Sequence, residues 1–545
     1  LTKYLLSDFA LLNEQIKQKR LFSLLLILAC LTELLYLLLV ACSAWPTSGL
    51  SSTPLAAMLF PSQIVQTLLG PLVSKEVVPS QLLAMTLLAL IGIYAWAILL
   101  VHRYRGTKSR RWFWLLLGSV VLFGLTLLLQ PMLFSDDVFT YMFVGRILAI
   151  YSVDPINTAP IQFLTDPYLP WVISGRMTTN IYGPLWYCIS ALFALISNSP
   201  VISLLLFKGL ALLTHLVNSV LTWAILAKIA PARRFTGTLL YAWNPLALIE
   251  LAGSGHSEGI LLTLLFLAIW LHIQGKGRFS RIGTLLLFGL AMSASLIVLL
   301  LIPLYLWYEA RSERNVACAL WRCCRHALII LLPFLGIFLP FWRGVSTFFA
   351  ITSAIDMEHF VHSPAGLLVL PIRSLYSAFA QWANFPSFLQ PITAADMTLR
   401  ASATFIFMLI YLHILGQLRR APVTPSGEQK PPLPGFAVLL SGWAVAVFWY
   451  LILVSGWFWP WYVLWLFWVV VLRRVDVFTV TILILSGTAL FIYPFVGFSR
   501  EPLATYQVAL IFGIPLLYLI VAGRRYRQGG QERIIGTSDS SKRLI

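Results

Sequence analysis

The stretch LFSDDVFTYMFVGRILAIYSVDP, residues 133–155, sets two adjacent acids directly behind a long apolar segment. An aspartate at a bilayer centre costs about 2.5–3.5 kcal/mol on insertion scales, so Asp136 and Asp137 belong at an interface or in a wet cavity. The apolar run before them, residues 112–130, has the length a helix needs to cross the hydrocarbon core, roughly 17–25 residues. Further runs of that length lie near 21–42, 80–102, 201–227, 397–418, 433–454, 476–492 and 503–522. The chain is 59% hydrophobic and 11% charged, against about 25% charged for an ordinary soluble domain. It reads as an all-α polytopic membrane protein, with the acids at the mouth of a membrane helix.

The net charge of +18 invites a nucleic-acid reading, and its distribution argues against one. Lys and Arg cluster in short inter-helix loops: Lys17 to Arg20, Arg103 to Arg111, Arg233 and Arg234, Lys276 to Arg281, Arg419 and Arg420, Arg473 and Arg474, and Arg524 to Arg527. That is the positive-inside signature, so the charge reports orientation in the membrane, with no nucleic-acid partner. The 20 Trp and 20 Tyr suit a protein anchored at two interfaces. The six cysteines have no ligand spacing, and Cys323-Cys324 lies in a basic loop where a disulfide is not expected. Leu39-Val40-Ala41-Cys42 resembles a lipoprotein cleavage site, but the apolar core before it is longer than a signal-peptide h-region of roughly 7–15 residues. It reads as a true first helix.

Taking the basic loops as cytoplasmic places 43–79, 131–183, 253–258, 343–396, 455–460 and 497–502 outside. Segments 184–198 with 201–229, and segment 282–308 between two basic loops, fit only as broken or re-entrant pairs, which are allowed where backbone is buried in protein. The expectation is one transmembrane domain over 1–523 with about 11–14 helices. Residues 131–183 form its first large outer loop, 343–396 its second, and 421–435 a Pro-rich cytoplasmic linker. Residues 524–545 form a polar cytoplasmic tail. No internal repeat is visible.

The outer cations are then few: Lys75, Arg146, Arg176, Arg343, Arg373, Arg400 and Arg500. Each is a better functional candidate than any inner one. For Ser135-Asp136-Asp137, helix capping is one reading, with Ser135 as N-cap and both acids in the first turn. In a helix over 136–150, positions 138, 139, 142, 143, 147 and 150 form an apolar side, so the element would lie along the membrane surface. Asp137 would face water or a cleft, and Arg146 would need to snorkel or meet a phosphate. A carboxylate at that boundary suits proton abstraction from an acceptor hydroxyl.

With these residues assembled, the chain resembles the GT-C superfamily of glycosyltransferases, and within it the bacterial polyprenol-phosphomannose-dependent α-1,6-mannosyltransferases. Four matches carry this, in order: DVFTYMFVGRILA (137–149) followed by Asp154-Pro155; YGPLW (182–186); WNPLALIELAGSGHSEG (243–259); and WPWYVLWLF (459–467). There are departures: Ser257-Glu258 stands for Asn-Asp, Ile156 for an aromatic, and Ser295 for a lysine. The resemblance implies a GT-C fold and an inverting, single-displacement transfer of a sugar, mannose by preference, from a polyprenyl-phosphate donor. The acceptor would be a glycan or lipid-linked glycan at the outer face of the bacterial cytoplasmic membrane. By position Asp137 matches the family's general base, with Asp136 as helper or alternate.

Around that centre, Arg146, Lys208, Arg343 and Arg373 are candidates for the donor phosphate, Lys208 because an intramembrane cation is functional by default. Tyr182, His256, Glu258, His359, Trp461 and Tyr462 are candidates for substrate contact. His256 and Glu258 could equally be polar tips of a glycine-bracketed turn, and Trp461 and Tyr462 interfacial belt residues rather than a sugar-stacking pair. Glu33 most simply pairs within the bundle. Asp356, Glu358, His359 and His362 form the densest outer polar cluster without a helix-spaced pair, so no metal site is assigned, although a divalent cation stays open. The rival functions are a lipid-linked-sugar flippase, which should place charges at the midplane and show repeats, and a ligase using a lipid-diphosphate-linked glycan.

Overall fold

The computed structural model describes residues 2–43, 79–103, 110–179, 182–275, 277–313, 315–354, 360, 362–382, 391–422, 434–498 and 503–540. In chain order the helices are α1 (Thr2–Ser43), α2 (Pro79–Arg103), α3 (Arg110–Leu128), α4 (Asp137–Ala149), α5 (Pro184–Ile196), α6 (Pro200–Ile229), α7 (Arg234–Ala242) and α8 (Pro245–Leu248). They continue as α9 (Glu258–Gln274), α10 (Gly277–Ala294), α11 (Ile302–Ala310), α12 (Val316–Phe338), α13 (Val345–Ala354) and α14 (Gly366–Trp382). The last are α15 (Pro391–Arg420), α16 (Pro434–Trp449), α17 (Leu464–Val470), α18 (Val477–Ala489) and α19 (Leu503–Ser540). No strand occurs among the described residues, and the protein is an all-α polytopic membrane protein.

Among the described residues, 9 helices are long and apolar enough to cross a membrane, or up to 10 counting the bent pair Pro245–Gly253 and Glu258–Gln274. Every apolar run read from the sequence falls on one of them, and Val316–Phe341 adds another. The count is below the expected one because several apolar elements are short. α5 has 13 residues, about 20 Å at 1.5 Å per residue, against a hydrocarbon core of about 30 Å. The expected broken pair at 184–229 is thus a short α5 followed by a full crossing, α6. The expected break in 282–308 falls at Ser295, whose extended backbone (φ −158°, ψ 134°) separates α10 from the turns that lead into α11.

Local chemistry sets several of these boundaries. Proline opens α5, α6 and α8 at positions where its missing N–H costs nothing. Asn244 caps α8 by accepting the Ala247 N–H at 3.0 Å, and Asp476 caps α18 by accepting the Thr479 N–H at 2.7 Å. Lipid gives no hydrophobic drive between helices, so they meet through small residues and polar contacts. The Cα of Gly289 sits against the Ile330 carbonyl of α12, where any side chain would overlap it. Glu33 of α1 accepts from the Thr126 hydroxyl of α3, the bundle pairing expected for it.

Three spans, α3, α6 and α18, run from one end of the bundle to the other and define its polarity. At one end the Arg233 guanidinium holds the Leu472 carbonyl at 3.3 Å and the Arg473 carbonyl, joining two of the basic loops. At the opposite end Lys208 holds the carbonyls that finish α3, Leu127 at 2.9 Å and Gln130. The acidic stretch lies at this second end.

Candidate active site

α4 is not the membrane-surface helix that its apolar pattern suggested. Residues Val138 to Ile147 are buried on all sides, because α5 covers one flank and the loop 150–179 folds over the other. The approach to α5 is close enough that a side chain on Gly145 would overlap the Ser190 carbonyl. Capping also differs from the expectation. The N-cap is Asp136, with no side-chain bond to the helix, while Ser135 Oγ accepts the Asp137 N–H at 3.3 Å. The Asp136 carboxylate instead accepts the Ile173 N–H (3.2 Å), the Ser174 N–H (2.7 Å) and the Ser174 hydroxyl (2.6 Å). It ties the outer loop to the helix start. Asp137, in the first turn, keeps a side chain that is 22% exposed.

Facing Asp137 is His256, in the turn where the α8 segment breaks by 119° into α9. Its Nδ1 lies 3.6 Å from Asp137 Oδ2 and 3.4 Å from the Tyr141 hydroxyl. Its Nε2 lies 3.2 Å from Oε2 of Glu250, whose Oε1 accepts the Tyr493 hydroxyl at 2.6 Å. Glu250 and His256 side chains are wholly buried. The turn is built for this: α8 widens into a π-helical turn over Ile249–Gly253, and Gly255 follows with φ +77°, a conformation suited to glycine. A Tyr493–Glu250–His256–Asp137 line results, drawn from α4, the α8–α9 break and the end of the α18 span. Burial is the main influence on the Asp137 carboxyl and pushes its pKa above the ordinary value; His256 pulls it back, and the charges of Asp136 and Glu250 push it up again.

Aromatic rings enclose the line. Trp461 stacks on the His256 ring at 4.1 Å and 28°, and Trp459 stacks on Trp461 at 5.3 Å and 3°. Tyr141 meets Tyr182 edge-on at 4.8 Å and Trp186 at 5.1 Å. Tyr182 is fixed in turn by its N–H, which donates to the Tyr187 hydroxyl at 2.9 Å. Gly183 beside it lies where any Cβ would overlap the carbonyl oxygens of Ser293 and Ala294 at the end of α10. The geometry therefore brings together Asp137, Tyr182, His256 and Trp461, one from each of the four motifs. Tyr462 packs on Trp465 at 4.1 Å and edge-on to Trp461 at 6.0 Å.

A family model described as α-(1→6)-mannopyranosyltransferase, N-terminal domain, matches residues 38–311, half of the chain. That span contains Asp137, Tyr182, Glu250 and His256. The chain belongs to this α-(1→6)-mannopyranosyltransferase family. It is therefore a glycosyltransferase with α-1,6-mannosyltransferase activity, acting with a sugar donor and a glycan acceptor. A comparison with curated proteins gives no match.

Within this mannosyltransferase the expected cations separate into committed and open groups. Arg146 lies nine residues beyond Asp137, about 180° around α4, and binds the buried Asp166 through Nε (2.9 Å) and the second guanidinium nitrogen (2.9 Å). Its guanidinium also covers the Tyr168 ring at 4.2 Å. Asp166 further accepts the Tyr151 hydroxyl at 2.7 Å and the Tyr168 N–H at 2.8 Å, so Arg146 clamps the loop onto α4. Lys208 is wholly buried and occupied by the carbonyls ending α3. Arg373 makes a two-pronged bond to Asp396, at 2.9 and 2.6 Å, joining α14 to α15. Arg343 is exposed, its N–H donating to Thr347 Oγ1 at 2.8 Å.

Arg176, one of the outer cations, and Glu250 join this site. Arg176 lies two residues beyond the Ser174 that Asp136 holds, and its Nε is buried without a hydrogen-bond partner among the described residues. Glu250 lies inside the third motif with no role expected for it, although its signal, a lone charge in an apolar run, is the same as that of Lys208. Glu258 starts α9 with Oε2 buried and unpartnered among the described residues. His359, with Asp356 and Glu358, lies outside the described residues, while His362 packs edge-on against Trp459 at 5.3 Å. Among the described residues no group of three or more His, Cys, Asp and Glu could hold a metal ion.

Proposed function

We propose that the enzyme transfers mannose from a polyprenyl-phosphate donor to a glycan or lipid-linked glycan, with inversion, using Asp137 as general base. The acceptor hydroxyl oxygen attacks the anomeric carbon and gives its proton to Asp137. The bond from that carbon to the phosphate oxygen breaks, and its electron pair leaves with the polyprenyl phosphate. Inversion to an α-linked product requires a β-linked donor. The observation that carries this reading is the contact of a partly open carboxylate, Asp137, with His256, itself backed by the buried Glu250.

With Nε2 lying 3.2 Å from the Glu250 carboxylate, His256 presents Nδ1 on the Asp137 side, so a proton arriving at Asp137 can be shared with the imidazole while Glu250 balances the charge. Asp136 acts through the loop it holds, as a positioning residue. With Arg146, Lys208 and Arg373 committed elsewhere, Arg176 and Arg343 are the cations we assign to the leaving phosphate. Tyr182 and Trp461 would line the sugar subsite. The basic loops gather at the other end of the bundle, and cytoplasmic loops carry the Lys/Arg excess. We therefore set the reaction on the extracytoplasmic face of the bacterial cytoplasmic membrane.

The test is purified protein offered a panel of polyprenyl-monophosphate sugars, with release of polyprenyl phosphate followed. Asp137→Asn should express and fold yet lose about 10²–10⁴ in turnover, the usual contribution of a general base. Near wild-type turnover in that variant would remove Asp137 from the role. Use of a lipid diphosphate in place of the monophosphate would overturn the donor.

A further inference from the structure

At the end of the bundle away from Asp137 the structure contains an open cavity of about 1310 Å³, where α2 ends, α3 begins and α6 turns into α7. Four arginines line it, Arg110, Arg233, Arg234 and Arg474, together with Trp114 and Trp223. No carboxylate is among the described lining residues. Asp476, close by, is directed to Arg473 at 3.1 Å and to the α18 cap.

Two of the arginines are built into the walls. Arg233 holds the Leu472 and Arg473 carbonyls, and Arg234 donates to the Trp223 carbonyl at 3.1 Å while lying 3.9 Å over the Trp223 ring. Arg110 sits 5.9 Å from the Trp114 ring, and Arg474 is exposed, its carbonyl accepting the Thr479 hydroxyl at 2.8 Å while its guanidinium holds no backbone among the described residues. Like charges gathered in a concave, partly apolar site focus a positive potential that an anion would relieve. Guanidinium groups fit phosphate oxygens in pairs. Arg110 is the first residue of a span and Arg474 lies just before another, so the charges sit at headgroup depth. Trp114 is 55% exposed on the span below them, a surface for an acyl chain rather than for water.

We infer that this cavity binds the phosphodiester headgroup of an anionic membrane lipid, across the membrane from the Asp137 site. Free phosphate would use the same guanidinium groups but would leave the tryptophan wall bare. The inference does not depend on the donor or base assigned above.

The full chain in nanodiscs or mixed micelles would be titrated with phosphatidylglycerol, with phosphatidylcholine and with inorganic phosphate, and bound lipid read by native mass spectrometry. Phosphatidylglycerol should be retained in preference to phosphatidylcholine, and inorganic phosphate should not displace it. The variant Arg110→Ala with Arg474→Ala removes two cations that hold no backbone, and should weaken retention about thirtyfold. Arg110→Lys with Arg474→Lys should recover most of it. Mannosyl transfer at the opposite end should persist in both. Equal retention of the two lipids, displacement by inorganic phosphate, or unchanged retention in the alanine variant would each overturn the inference. The lipid comparison on the wild-type chain stands as a test even where the alanine variant does not fold.

Discussion

Replacing Glu250 with glutamine isolates the charge behind His256 while leaving shape almost untouched. Glu250 Oε1 accepts the Tyr493 hydroxyl at 2.6 Å, and a glutamine oxygen can do the same, so the tie between the α8 turn and the α18 span survives. Stability should hold or rise, because a buried carboxylate carries a desolvation cost that an amide lacks. What disappears is the charge 3.2 Å from His256 Nε2. A hydrogen bond to a charged group is worth about 1.5–3 kcal/mol. If that interaction is made as the imidazole takes up positive charge in the transition state, its loss lowers kcat by about 10- to 150-fold at 1.36 kcal/mol per decade. The assay is mannosyl transfer from polyprenyl-phosphate mannose by purified protein, with kcat and KM for donor measured separately. KM should change little, since Glu250 is wholly buried and touches no solvent-facing surface. Combining Glu250→Gln with Asp137→Asn should cost little beyond Asp137→Asn alone, because the residues act as one unit. A kcat within twofold of wild type, or a loss confined to KM, would refute the line from Glu250 through His256 to Asp137.

His256→Asn removes the neighbour that pulls the Asp137 pKa down and leaves its burial, the main upward influence, in place. The base must be deprotonated to work, so activity climbs as pH rises through its pKa. The acidic limb of the pH–kcat profile should therefore move to higher pH in this variant. Arg146→Ala leaves Asp166 buried without its ion partner; breaking such a pair costs about 3–5 kcal/mol. Thermal unfolding in detergent should show that loss, and Arg146→Lys should restore only part of it. Gly183→Ala forces a methyl against the Ser293 and Ala294 carbonyls, and overpacking of this kind costs about 1–3 kcal/mol. Because Tyr182 moves with that backbone, transfer should fall more than the melting temperature implies.

The spans were legible because a helix in lipid must satisfy its backbone internally and cover it with apolar side chains, which writes long uniform runs into the sequence. The number of crossings was not, because α5 and α11 are apolar in the same way and too short to cross. Asp137, Tyr182, His256 and Trp461 stood out as polar or aromatic groups at helix mouths, and the fold gathers them. Arg146 misled for a physical reason. α4 is buried on every side, and the Arg146 partner Asp166 comes from a loop 20 residues on, a contact no helical pattern encodes. Glu250 was hidden by the period itself. A regular α-helix gives no reason to aim it at His256, and the π turn over Ile249–Gly253 is a local departure that the residues IELAG do not announce.

The pattern of spent bonds separates several polar groups that build this end of the bundle from Asp137. Asp136 is saturated by three donors, Arg146 by Asp166, and Lys208 by two helix-end carbonyls. Each repays its burial with hydrogen bonds that fix a loop or a helix end. Asp137 lies 3.6 Å from His256, beyond hydrogen-bond length, and keeps part of its surface open, so a proton can still be received there. Behind it, Glu250 and His256 are wholly buried in a region where apolar residues of the same volume would pack without desolvation cost. A scaffold selected for stability alone would discard that pair. Their placement behind Asp137 is what a proton-accepting carboxylate at the membrane face requires.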